Sequence, residues 1–347
     1  MNISAVGKFL DQPLLISKLK DKTPKILCGA AAAYGIYDTI QSPKEERSNR
    51  GIKNAIILSC VVCTSLISAF GFKIGNNKIF DGFVNLKNRN EILKNNANAV
   101  DNFLQQNKIP QAISDILNKT KTDILNIKDT EKILSVTPGS NGRDELFNTL
   151  FSKKEELNAK EIFKETGRLS ILGLMPVAAG VLAGITADKI TNENTPKSAS
   201  DKIKEGAYQF LANIFMCNVG AAGALFGAER LQKAGAIKPL TPLGKLGVIM
   251  GGIFVTGIIG GSFVANLIGK KILDPLFNRD TKCNEIKFGQ SDIYNERKPE
   301  ILDMALHTDD IATAGVLSGF KWIEPMLPLM YTISGYRAGI GYRNNEN

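Results

Sequence analysis

Long uncharged runs alternate in this chain with stretches dense in Lys, Asn, Asp and Glu, the pattern of a polypeptide that meets two solvents. Residues 246–269, LGVIMGGIFVTGIIGGSFVANLIG, carry no charge. At about 1.5 Å per residue a helix there reaches roughly 35 Å, more than the ~30 Å hydrocarbon core of a bilayer. Lys245 closes one end and Lys270 with Lys271 the other, where long basic side chains snorkel to headgroups. Residues 207–228 are also uncharged, with Tyr208 placed for an interfacial aromatic belt. Two further uncharged runs, 54–72 and 169–187, are flanked by Lys53 and Lys73 and by Arg168 and Asp188. Each is just long enough to cross, and Pro176 is expected to kink the second. An apolar helix can also be the core of a large soluble protein, but four such runs exceed what soluble folds normally contain.

Two candidates are weaker. Residues 26–40 are short and contain Asp38, so they read as an interfacial segment or a tilted span that ends early, and 311–340 contain Lys321, Glu324, Pro325, Pro328 and Arg337, so they read as a broken helix or a re-entrant pair. Between the spans, Ile92, Leu93, Val100, Phe103, Leu104, Ile113, Ile116 and Leu117 recur at three- and four-residue spacing, which is helical. Pro110 suits a helix start, 137–142 (TPGSNG) a loop, and 144–157 a further helix. The expected fold is all-α: a polytopic membrane helical bundle of four clear and two weaker transmembrane segments with a small helical soluble insert. Its expected parts are a basic N-terminal segment (1–25), a first membrane hairpin (26–72), the insert (73–168), a membrane bundle (169–340) with a polar loop at 271–310, and a polar tail (341–347).

Composition narrows function mostly by exclusion. The mean hydropathy of −0.04 averages two unlike populations of segments. The net charge of +9 is spread over nearly every polar segment, which argues against a nucleic-acid footprint and for anionic lipid as a partner beside the bilayer itself. Five cysteines without regular spacing make no disulfide framework. Cys60 and Cys63 match a redox spacing but lie in an apolar run with nothing to stabilise a thiolate. His307 is the one histidine, and a helix cap beside it at Thr308 or Asp309 accounts for its surroundings better than a metal site. No phosphate loop, nucleophile elbow or HExxH motif is present, so no catalytic residue, metal or cofactor is expected. The apolar–loop–apolar pattern of 26–72 and 169–228, with Pro43 and Glu45 in the first loop, partly echoes mitochondrial carriers. Ser48 stands where that signature needs a base and no regular further copies follow, so no family is assigned.

Two readings of function follow. Small residues at four-residue spacing, Gly180/Gly184, Gly223/Gly227, Gly247/Gly251, Gly257/Gly261/Ala265/Gly269, Gly315/Gly319 and Gly335/Gly339, mark helix faces that let backbones approach closely in lipid. The first reading is therefore a non-catalytic multi-pass membrane protein, in a bacterial inner membrane, that acts by helix packing, as a homo-oligomer or with a partner. The alternative is a small-molecule or ion transporter or channel whose path runs past Lys321 and Glu324 and the span residues Asn213, Asn218 and Asn266, because ionisable groups at membrane depth mark pathways. Basic residues fall on both sides in comparable number, so orientation is not assigned, and no cleavable signal is expected.

Overall fold

The computed structural model describes residues 3–74, 77–80, 82, 88–136, 139–151, 159–193, 195–268, 271 and 308–341. Most of the expected polar loop and tail, together with Gly269, Lys270, Cys283 and His307, lies outside the described residues. The chain is predominantly helical and divides into two compact units. The first comprises Met1–Pro24, Val84–Glu156 and Gly319–Pro325; the second comprises Lys25–Phe83, Leu157–Ser318 and Met326–Asn347.

The first unit gathers short helices around one apolar core. Helix α1 (Ile3–Leu10) is followed by α2 (Pro13–Gln41), whose opening turns belong to this unit. Helices α4 (Arg89–Gln106), α5 (Gln111–Lys119), α6 (Ile127–Val136) and α7 (Arg143–Leu150) complete it, α3 (Arg47–Phe70) belonging to the second unit. The Asn88 side chain starts α4 by accepting the Asn90 N–H at 3.1 Å, and Glu91 in the first turn suits the helix dipole. The apolar spacing read from the sequence becomes one core in which Val100, Phe103, Ile113, Leu117, Leu146 and Phe151 are buried together.

Polar side chains close the gaps between these short helices. Gln12 donates from Nε2 to the Leu125 carbonyl at 3.0 Å and accepts the Leu125 N–H on Oε1 at 2.8 Å, satisfying a buried backbone unit that no helix serves. Asn107 makes the same two-way pair with the exposed Asn141 backbone, at 2.8 and 3.1 Å. The basic N-terminal segment is thus part of the insert's own fold, held by α1 against α6 and by Lys18 on Asp123.

The second unit holds the apolar helices. Helix α3 spans Arg47–Phe70, α8 spans Ala159–Ile190 and runs through Pro176, and α9 spans Pro196–Phe210. A π-helical segment, Leu211–Met216, carries α9 into α10 (Cys217–Lys233) without a break. Among the described residues, three helical stretches are long and apolar enough to cross a membrane: Arg47–Phe70, Glu161–Ile190 and Ser198–Lys233. The 246–269 run, the longest expected span, is instead divided into α11 (Pro242–Ile253), a second π-helical segment (Phe254–Gly261) and α12 (Ser262–Ile268). Its glycines and β-branched residues are weak helix formers, which lets the turn loosen there. Helices α13 (Thr308–Leu317) and α14 (Leu327–Ile340) belong to this unit, and the 3₁₀ turn that joins them (Lys321–Met326) falls mostly in the first, so helix is interrupted within 311–340.

One element departs from an all-helical reading. After α3 the chain forms a two-stranded antiparallel hairpin, β1 (Phe72–Ile74) with β2 (Asn77–Phe80), in the register Lys73 opposite Lys78 and Ile74 opposite Asn77. The sequence carried the signal in Gly75-Asn76 between apolar alternations, the residue types that two-residue hairpin loops favour.

Two outcomes test the first unit. Phe103→Ala leaves a cavity at the centre of its core and is expected to lower the unit's stability by about 3–5 kcal/mol, read by hydrogen exchange of α4 and α5 amides in the full chain. The Lys18 ammonium, with the Ile124 N–H, holds the Asp123 carboxyl below its usual range. Its folded pKa is therefore lower than the unfolded one, and the pair stabilises fully above about pH 4 and fades as pH falls through the folded value. Exchange protection of the Leu125 amide is expected to decline with acid over that window, and Asp123→Asn to remove that part of the decline.

Candidate functional site

The second unit carries a polar clasp where its helix ends meet. The first turns of α3 present Arg50, Lys53 and Asn54. Arg50 forks onto Asp38 near the end of α2, at 2.6 and 3.0 Å, the planar bidentate geometry that makes such bonds strong. Asn54 donates to Asp38 at 2.7 Å and accepts from the Tyr336 hydroxyl of α14 at 2.7 Å. One turn away Lys53 pairs with Asp188 at the end of α8 at 2.7 Å and also with Glu193. Asp188 in turn holds Lys202 of α9 and accepts from the Ser198 hydroxyl. Asp188 is 2% exposed and Lys202 5%, so each buried charge depends on the other for its neutralisation. The turn is set locally: Thr195 caps α9 by accepting the Ser198 N–H at 3.0 Å, with Pro196 at the first helical position.

From this clasp a line of polar side chains runs along α9 into the unit's interior. Ser198, Lys202, Glu205, Gln209 and Asn213 follow at intervals of three or four, which places them on one helix face. Glu205 and Gln209 are both fully buried. The hydrogen bonds point one way: Asn213 Nδ2 donates to Gln209 Oε1 at 3.0 Å, and Gln209 Nε2 donates to Glu205 Oε1 at 2.8 Å. Past the π-helical segment, Asn218 donates to Ser170 of α8 at 3.0 Å, and Ser170 returns its proton to the Thr166 carbonyl at 2.9 Å. The two π-helical segments pack on each other, and the Thr256 hydroxyl lies 3.1 Å from the Met216 carbonyl and 2.9 Å from that of Gly252. A hydroxyl so placed serves carbonyls that the wider turn exposes.

The outer faces are the opposite in character. Leu182 and Phe263 are 68% and 69% exposed, with Phe254 and Val255 also open, while Lys202, Glu205, Gln209, Asn213 and Asn218 are buried.

The glycines sort into two groups. A Cβ on Gly180 would stand 1.9 Å from the Gly335 carbonyl oxygen, and one on Gly184 1.9 Å from that of Gly339, so α8 and α14 touch backbone to backbone. Helices α10 and α11 do the same through Gly220 and Gly252, where a Cβ would lie 2.5 and 2.3 Å from the opposing carbonyl. Gly223, Gly227, Gly247 and Gly251 have open space in the Cβ direction and face outward. Gly315 is buried in α13, whereas Gly319 follows that helix with φ 97°. Gly257 and Gly261 fall in the second π-helical segment and Asn266 in α12.

The expected path residues are divided. Lys321 and buried Glu324 belong to the first unit, and Asn213 and Asn218 to the interior of the second. Glu205, Gln209 and the Asp188–Lys202 pair were not singled out by sequence reading. Their signal was the spacing 198, 202, 205, 209, 213, hidden because the uncharged run was taken to begin at 207. Among the described residues no group of three His, Cys, Asp or Glu is placed to hold a metal ion. No protein family, no curated protein and no solved structure matches this chain.

The crossings and the clasp are separable by mutation. Gly184→Ala is expected to force α8 and α14 apart, costing about 1–3 kcal/mol, and Gly223→Ala to be neutral or to gain up to about 1 kcal/mol as a helix former. Melting temperatures of the full chain in detergent distinguish them. Asp188→Asn leaves Lys202 and Lys53 without their shared carboxylate and is expected to cost about 3–5 kcal/mol in the same measurement.

Proposed function

We propose that this chain is a multi-pass integral membrane protein of non-catalytic character, a helical bundle that acts by packing with lipid and with a second copy or partner in the membrane. The observation that carries this reading is the inverted polarity of the second unit, with large apolar side chains outward and its amides and charges inward. Three helices of sufficient length and apolarity support it. So do the glycine crossings, because in lipid, where tails are as apolar as side chains, association depends on close packing and interhelical hydrogen bonds. The outward glycines of α10 and α11 are the surface this reading gives to a partner helix.

A second reading rests on Glu205. A carboxyl with no exposure, on a helix long enough to span, at the end of a one-way chain of amides, is the arrangement that lines proton or cation paths. On this reading the path follows Glu205, Gln209, Asn213 and Asn218.

Water decides between the two. Cys217 is buried beside this polar line, whereas Cys28, Cys60 and Cys63 are exposed on outer surfaces. In sealed vesicles, a membrane-impermeant thiol reagent is expected to leave Cys217 unmodified until the protein is denatured. Rapid labelling of Cys217 would favour the path, and Glu205→Gln should then abolish proton or cation flux.

A further inference from the structure

An open groove of about 620 Å³ runs between α2 and α3 in the second unit. Its walls are mostly apolar, with Ala31, Ala32 and Ile36 on one side and Ala55, Leu58 and Val62 on the other, and Asn54 and Ser59 are polar members of the α3 wall. From Cys28 to Ile40 it extends roughly 18 Å at a helical rise of about 1.5 Å per residue, close to the ~15 Å of hydrocarbon in one leaflet. Thr39, Ile40 and Gly51 form the end near the loop, and Cys28 and Cys63 line the opposite end.

The loop end is basic and aromatic. Arg47 donates from Nη2 to the carbonyl of the groove residue Ile40 at 2.7 Å, and from Nε to that of Ser42 at 3.0 Å. Its guanidinium is therefore fixed at the mouth while remaining exposed. Lys44 is exposed on the same loop. Glu45 and Glu46 are the acidic members of that loop; the neighbouring bases Arg50 and Lys53 are held by Asp38 and by Asp188 and Glu193. Tyr34 and Tyr37, exposed on α2 one to two turns from its end, mark the level at which aromatic rings sit beside headgroups.

We propose that this groove is a binding site for one acyl chain of an anionic phospholipid, with the phosphate held at its mouth by Arg47 and Lys44. The site rests on the membrane reading given above. The chain fits because the groove is open and most of its lining is apolar, with Leu58 of α3 packed against Gly35 of α2. The headgroup is selected because a planar guanidinium matches a phosphate in geometry and charge. Arg47 acts at the end of a helix whose last carbonyls it already satisfies, so its orientation is prepaid before lipid arrives.

The test uses the full chain in a mild detergent, with phosphatidylglycerol or phosphatidylcholine added, and counts lipids retained per chain by native mass spectrometry. One phosphatidylglycerol is expected to be retained, about tenfold over phosphatidylcholine, a difference that Arg47→Gln should erase and that Ala55→Trp, by filling the groove, should abolish for both lipids. In the unmutated chain, phosphatidylglycerol is expected to slow maleimide labelling of both Cys28 and Cys63, while inorganic phosphate does not. Equal retention of the two lipids, unchanged labelling, or protection by phosphate alone would overturn the site. So would a crosslink from Cys28 of one copy to Cys63 of another in native membranes, which would put a second copy in the groove. Extraction with alkaline carbonate keeps the two claims apart: a chain released into the supernatant defeats the membrane reading, and a retained chain without lipid selectivity defeats the groove alone.

Discussion

Contact between α8 and α14 governs the helical unit, because two backbones meet there with no side chain between them. Gly180 and Gly184 face the carbonyls of Gly335 and Gly339, and the approach leaves no room for even a methyl group. Such closeness maximises dispersion contacts, individually tiny, over the whole crossing. It also fixes what else can approach. Ile57 and Val61 of α3 pack onto the same glycines of α14 beside the α8 backbone. Helices α3, α8 and α14 thus pack mutually, with Thr332 and Ser65 hydroxyls 2.9 Å apart and the Tyr336 hydroxyl on Asn54 as polar ties.

The polar groups of this unit sit where burial would be costly without partners. Taking a charge out of water is unfavourable unless it is paired and hydrogen-bonded. Asp188 meets that condition with two lysines and a hydroxyl, and Asp38 with an arginine and an amide. Both lie near helix ends, within reach of the loops that join α2 to α3 and α8 to α9. The amides deeper along α9 satisfy one another in sequence, so the line from Glu205 to Asn213 is continuous in hydrogen bonding. That single feature serves either proposed role, since it can lock a helix or conduct a proton.

The two units use opposite logic. In the first, Phe103, Leu117 and Phe151 are inside, and amides such as Gln12 and Asn107 bridge short helices to stretches of loop backbone. In the second, large apolar residues such as Leu182 and Phe263 are outside. The α2–α3 groove lies in the unit that exposes these large apolar side chains.

The sequence alone determined the helical class, the apolar runs at 54–72 and 169–187, and the core positions of the insert. Each of these is local: length without charge, or a spacing of three and four, is written along a single segment. Gly180 and Gly184 were legible for the same reason, as a small face on one helix. Which helix would meet that face was not, because the partner glycines lie some 150 residues away and Gly223 and Gly227 present the same local pattern while facing outward. The pairing of Gln12 with Leu125, the Asp188 clasp shared by three helices and the loosening of 254–261 into a π-helical turn were likewise decided only by tertiary structure. They depend on which surfaces meet, and a pattern within one segment records that a face is small or polar but not what it will touch.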